Sequence, residues 1–211
     1  MQASFALARV CLQSPSSCTA GLASHALVWH ARCHCNDMTL VALRCKCGSI
    51  SGNLDLSRPS RVRVTCHCDD CAAYGRHLGS EHATRIVLAA PDQVELLTGI
   101  EHLCCLRLTE RGLTRWFAGC CMTPLANTSR YAWLPFVGVM SCTLATVDEA
   151  RLGPEREVNG SQPTPWGLLF RSLSWLLRCL LLRRHRPNAF FEQGELRARP
   201  RYISEKPASP R

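Results

Sequence analysis

From residue 38 to about residue 140 the chain alternates short apolar runs with turn residues. Residues 39–44 are apolar and partly β-branched, and residues 47–52 read as a turn entering a second strand. Residues 61–65, Arg-Val-Arg-Val-Thr, alternate charge with valine, as a half-buried strand does. Further strand-like runs follow at 85–89, 94–98, 103–108 and 113–117, with Pro91-Asp92, Gly99 and Glu110-Arg111-Gly112 between them. Residues 133–139 give one more. Strands this short and this closely spaced predict a mainly β domain: a sandwich, a barrel or a tent of small antiparallel sheets. Residues 72–78 leave room for one or two helical turns.

The pattern changes after residue 150. Residues 151–165 carry Gly153, Gly160, Pro163 and Pro165 and predict a linker. Residues 166–186 predict an amphipathic helix that Pro187 ends. Its apolar run is marginal for crossing a bilayer and is broken by Arg171 and Arg178, which share a face. Docking on the domain is the first expectation for this helix, and a place on a membrane surface is the alternative. Residues 187–211 form a basic tail with an apolar anchor at Phe190-Phe191, polar and mobile beyond it. Residues 1–37 lack sustained periodicity and are expected to be a disordered leader, or a stretch ahead of an effective start at Met38. The folded domain is then 38–150.

Composition adds two facts. Fifteen of 211 residues are cysteine, and the net charge is +9. The tight C-x-C spacings suit metal ligands better than disulfides, because residues so close rarely bond each other, and this points to a reducing, cytoplasmic setting. Much of the positive charge lies near the C-terminus. No groove-reading motif or interleaved aromatics accompany it, so nucleic acid is not the expected partner. Nothing in the sequence sets the oligomeric state.

Three cysteine clusters carry the candidate chemistry. Cys66-His67-Cys68-Asp69-Asp70-Cys71 spaces three thiols C-x-C-x-x-C, close enough to converge on one Zn2+ and leave a fourth position free. Cys45-Lys46-Cys47-Gly48 precedes it and Cys120-Cys121 follows it. Distant cysteine pairs of this kind pin remote loops to one ion. Cys104-Cys105 sits inside a strand-like run, where neighbours face opposite sides, and neither is assigned as a ligand. Cys33 and Cys35 read as incidental cysteines of the leader.

The order C-x-C-G, C-H-C-x-x-C, then Thr123-Pro124-Leu125 resembles the glutathione-dependent formaldehyde-activating (GFA) family, which includes the centromere protein V domain. The stretch from Cys66 to Gly79, with residues 115–121, looks most like a bacterial branch of that family. The resemblance spans about residues 38–140. It implies a zinc-containing β-tent with two zinc sites. The structural zinc would take the first C-x-C pair and a late C-x-x-C pair. Cys45 and Cys47 match the first pair and Cys121 the last cysteine, but Ala118 occupies the other late position and Met122 replaces the usual glycine. Cys120, His67, Cys35, an acid or water are the candidates to complete it. The second zinc, proposed to carry the chemistry, would sit on Cys66, Cys68 and Cys71.

By that resemblance the activity would be that of a carbon–sulfur lyase on thiol–aldehyde adducts of the S-hydroxymethylglutathione type, with a small thiol such as glutathione as partner. Arg76, His77 and Arg115 are the candidate groups for the thiol substrate's carboxylates. The alternative is a non-catalytic zinc scaffold that recruits a partner through its basic tail. No Ser/His/Asp array, phosphate loop or dinucleotide fingerprint is present, so any catalysis would rest on the metal.

Overall fold

The computed structural model describes residues 39–58, 62–79, 84–145, 152–158 and 166–203. The expected leader, with Cys33 and Cys35, lies outside the described residues. So do Met38 and parts of the expected linker and tail.

The architecture is mainly β with a C-terminal helix. A three-stranded antiparallel sheet has the order β1–β2–β5, with β1 Leu40–Arg44, β2 Ser51–Asp55 and β5 Val94–Thr98. An eight-stranded sheet has the order β10–β3–β4–β9–β8–β7–β6–β13. Its inner strands are β3 Arg63–Cys66, β4 Thr84–Ala89, β9 Val137–Met140, β8 Pro124–Thr128, β7 Thr114–Ala118 and β6 Leu103–Arg107. They pair antiparallel throughout. The outer strands β10 Glu155–Val158 and β13 Pro200–Tyr202 pair in parallel with β3 and β6. A small hairpin joins β11 Phe191–Glu192 to β12 Glu195–Leu196.

The large sheet is covered on both faces, so its central strands β7, β8 and β9 are buried almost without a break, polar residues such as Arg115 and Asn127 included. On one face Val87, Ala89, Trp116, Ala126 and Val139 join Val41, Leu43, Ile50 and Leu54 of the small sheet in one core. Each large side chain fully buried there stabilises the fold by roughly 1.5–3 kcal/mol. On the other face helix α1, Asp69–His77, brings Tyr74 against Leu106, Phe117 and Met140. Helix α2, Trp166–Leu181, brings Trp175 against Val62 and Leu88. Strand β7 is buried along its whole length. Alternate residues of β7 therefore belong to two cores, Trp116 to one and Phe117 to the other.

Four expectations need correction. The stretch predicted as a linker holds β10, fastened by Glu155, whose carboxylate meets Arg63 at 3.3 Å, Arg85 at 3.5 Å and the Thr65 hydroxyl. The predicted mobile tail holds β12 and β13, and Phe190 beside it is buried 5.1 Å from the Trp116 ring. Residues 133–136 are not a strand. Pro135 interrupts them, and Trp133 is exposed and stacked on Tyr131. Helix α1 begins at Asp69 rather than after Cys71, so its first turn lies inside the cysteine cluster.

Asp92 ties α2 to the sheet. Arg184, just after the helix, donates from Nε and Nη2 to the Asp92 carboxylate at 3.0 and 2.9 Å, and both side chains are largely buried. Asp92→Ala leaves the Arg184 guanidinium without its counter-charge and should cost about 3 kcal/mol in chemical denaturation. Arg58 reaches the same carboxylate from an exposed position at 3.3 Å, and Arg58→Ala should cost less than about 1 kcal/mol.

Candidate metal centres

The Cys45-Lys46-Cys47-Gly48 segment is the turn between β1 and β2. Gly48 takes φ +80°, a conformation that favours glycine, and its N–H bonds to the Cys45 carbonyl at 3.0 Å. This folds the turn back so that the Ile50 N–H donates to Cys45 Sγ at 3.2 Å. The Ser49 hydroxyl lies 3.3 Å from Cys47 Sγ, and hydrogen bonding from Ser49, then from Cys120 and Cys121, pulls the Cys47 thiol down to about 6.

The second half comes from the turn between β7 and β8. The Ala118 carbonyl accepts the N–H groups of both Cys121 and Met122, and Met122 adopts φ +57°. A left-handed residue there closes the turn, so glycine would meet no penalty where methionine does. The turn places both Cys120 and Cys121 beside the first pair. Cys47–Cys120 is 3.3 Å, Cys45–Cys47 3.5 Å, Cys120–Cys121 3.9 Å and Cys45–Cys120 4.0 Å between sulfurs. All four Sγ atoms lie within 4.8 Å of one another. Sulfurs at zinc distance in a tetrahedron are about 3.8 Å apart, so this set could hold a metal ion. Ala118 is buried at the end of β7 and contributes only its backbone. Cys120, two residues on, is the fourth sulfur of the set. Thr123, read in the sequence only as part of the Thr-Pro-Leu motif, binds the two halves: its hydroxyl accepts the Lys46 N–H at 3.0 Å and lies 3.0 Å from Cys121 Sγ.

The second cluster forms where β3 runs into α1. Cys66 ends the strand, Cys68 is the helix N-cap, and Cys71 lies in the first helical turn. Their sulfurs lie within 4.8 Å of one another, with Cys66–Cys68 at 3.3 Å. The His67 N–H bonds to the Val158 carbonyl at 2.9 Å, so β10 holds the loop in place. Free N–H groups at the helix start favour negative charge on sulfur. Cys68 is pulled down because Cys66 and Cys71 hydrogen-bond to it, while those same contacts hold Cys71 and Cys66 up. Three sulfurs sharing protons around one thiolate are suited to exchanging those protons for a cation. Every described cysteine is a free thiol.

Arg115 lies under this cluster. It is 3% exposed, its Nη1 is 3.7 Å from Cys71 Sγ, its Nη2 is 3.9 Å from Asp70, and its guanidinium stands 5.3 Å over the Tyr74 ring. The Tyr74 hydroxyl donates to the Trp116 carbonyl at 2.8 Å. Arg115 is thus an interior counter-charge rather than an outward clamp. Three thiolates on a dication would carry one net negative charge, and Arg115 places a buried positive charge beside it. Tyr74 and Arg115 as a pair were legible only through the i, i+3 spacing of Cys71 and Tyr74 on one helix face. Arg76 and His77 lie in the last turn of α1, exposed, with His77 edge-on to Phe117. His67 is exposed and belongs to neither cluster. Cys104 and Cys105 are likewise outside both, and Cys105 is buried in the core. A cavity of about 480 Å³ borders the four-cysteine cluster, lined by Arg44, Lys46, Leu78, Cys121 and Cys142 among others.

Residues 38–155 match a family profile described as a family of unknown function (DUF6151). None of the curated proteins matches the chain. Among solved structures, the crystal structure of a Rhodobacter sphaeroides protein, a Northeast Structural Genomics target, is similar at 20% identity. The similarity covers 56% of this chain and 99% of that one, with a TM-score of 0.43.

Protein purified without oxygen should carry two metal equivalents per chain. Cys66→Ser should lower this to one, and elemental analysis reads the change directly. Arg115→Gln should keep the four-cysteine metal and weaken the other site about tenfold in chelator competition, the scale expected for a partner held just outside the ligands.

Proposed function

The chain belongs to the DUF6151 family of unknown function, and we propose from its two sulfur clusters that it is a two-zinc protein with a thiol-binding, carbon–sulfur lyase centre at Cys66, Cys68 and Cys71. The substrates would be thiol–aldehyde adducts of the S-hydroxymethylglutathione type. The observation that carries this reading is the three-sulfur set itself: among the described residues no fourth histidine, cysteine or carboxylate joins it. A tetrahedral ion there keeps one position for an outside ligand. The order of the clusters, like that of the GFA family, supports the same reading.

Zinc held by these three cysteines would supply a site for a thiol sulfur and lower the pKa of that thiol. The chain's own residues do the rest. Cys68 and Cys71 gain from the helix start, and Arg115 balances the charge of the cluster from below. The Asp70 carboxylate lies 3.9 Å from the other side of the guanidinium. In the addition direction the thiol sulfur bonds to the aldehyde carbon, and the thiol proton ends on the new hydroxyl. In the reverse direction that carbon–sulfur bond breaks and the proton returns to sulfur. The four-cysteine cluster, complete in itself, would be structural.

A non-catalytic zinc scaffold is the second reading, and one observation favours it. The described cavity, with the cations Arg44 and Lys46, borders the complete cluster rather than the open one.

Cobalt-substituted protein separates the two. With a thiol-binding centre, glutathione should change the thiolate-to-cobalt absorption of the wild type and leave that of Cys66→Ser unchanged. The protein should also speed exchange between free and glutathione-bound formaldehyde, followed by NMR. Unchanged absorption together with an uncatalysed exchange rate would leave the scaffold.

A further inference from the structure

Helix α2 carries two apolar faces. Trp175 and Cys179 face the sheet and the residues packed on it. On the opposite side Trp166, Leu169, Phe170, Leu173, Leu177 and Leu181 are exposed, between 49% and 75% of each residue. At about 100° per residue these six fall within an arc of about 120° along the helix. Solvent-facing positions of a helix are normally polar, so a continuous stripe of this length is a binding surface.

The charge beside the stripe says what it binds. Arg171 and Arg178 lie on one flank, and among the described residues neither has a carboxylate within ion-pair distance. Arg183 and Arg186 follow the helix, and no acid occurs between Glu157 and Glu192. A cleft of about 510 Å³ opens beside the helix, with Arg58, Arg171 and Arg178 at its sides and Val62, Leu88 and Trp175 among its lining. No helix of the described residues is long and apolar enough to cross a membrane. An apolar stripe flanked by unpaired arginines matches the boundary between acyl chains and anionic headgroups. Pairing with a second copy through this face would bring like-charged flanks together, with no acid on the helix to offset them.

We propose that α2 docks the protein on the surface of bilayers rich in anionic phospholipid, with the stripe from Trp166 to Leu181 in the acyl boundary and Arg171 and Arg178 among the headgroups. The surface is independent of the chemistry at the sulfur clusters.

The test is vesicle co-sedimentation of the full, metal-loaded chain. Phosphatidylcholine vesicles with and without about a third phosphatidylglycerol would be compared at low and high salt. Binding should require the anionic lipid and fall with salt. Leu173→Glu/Leu177→Glu should abolish it. Both positions are exposed, so the fold should survive, which an unchanged metal content would verify. Arg171→Gln and Arg178→Gln should each weaken binding about fivefold, the factor for roughly one surface cation. Absence of binding to anionic vesicles overturns the proposal, as does binding that the double glutamate variant retains. A dimer that the same variant dissociates, in protein that ignores vesicles, would assign the stripe to a second copy instead.

Discussion

Four sulfur atoms on two turns must reach one point, and much of the architecture follows from that requirement. One turn belongs to the small sheet and the other to the large sheet, so the cluster joins the two layers at their rim. The packed core between the layers, from Leu43 and Ile50 to Trp116 and Ala126, then has its separation fixed at one end. Thr123 reinforces the join by accepting a backbone N–H from the opposite turn. Strand β7 is the common element of both centres. Its C-terminal end leads into Cys120 and Cys121, and its face toward α1 carries Arg115 to Cys71.

The two clusters differ in how they balance charge. A dication among four thiolates would carry two net negative charges in a half-exposed position, with Lys46 and Arg44 near. The three-thiolate cluster would carry one, with the buried guanidinium of Arg115 between it and the Asp70 carboxylate. Burying Arg115 without such an anion would be costly, so the cation and the cluster depend on each other.

The cysteine pairs were legible because metal ligation imposes spacing within a few residues, and spacing is what a sequence displays directly. That Cys120 as well as Cys121 would reach the first pair was only partly legible. It depends on the left-handed residue at Met122, and only coordinates show a dihedral angle. Arg115 was read as a candidate for a thiol substrate's carboxylates, and nothing in the sequence around it shows that it is buried. Its burial follows from α1 starting two residues before Cys71, which brings Asp70 and Tyr74 over it. Strands β10 and β13 were hidden for a different reason. Each is short and polar, and each is held by partners far along the chain: Glu155 by Arg63 and Arg85, and β13 by the backbone of β6.

Those two strands have a consequence for the molecule's solubility. They are the outermost members of the large sheet, and both come from the chain after residue 151. The family-matched stretch ends at residue 155, where β10 begins. Without the segment beyond it, β3 and β6 would present unpaired N–H and C=O rows at both sides of a buried, apolar sheet, a template for strand addition from another chain. The C-terminal extension closes both edges with short, charged strands, and so keeps an eight-stranded sheet from growing into a larger one.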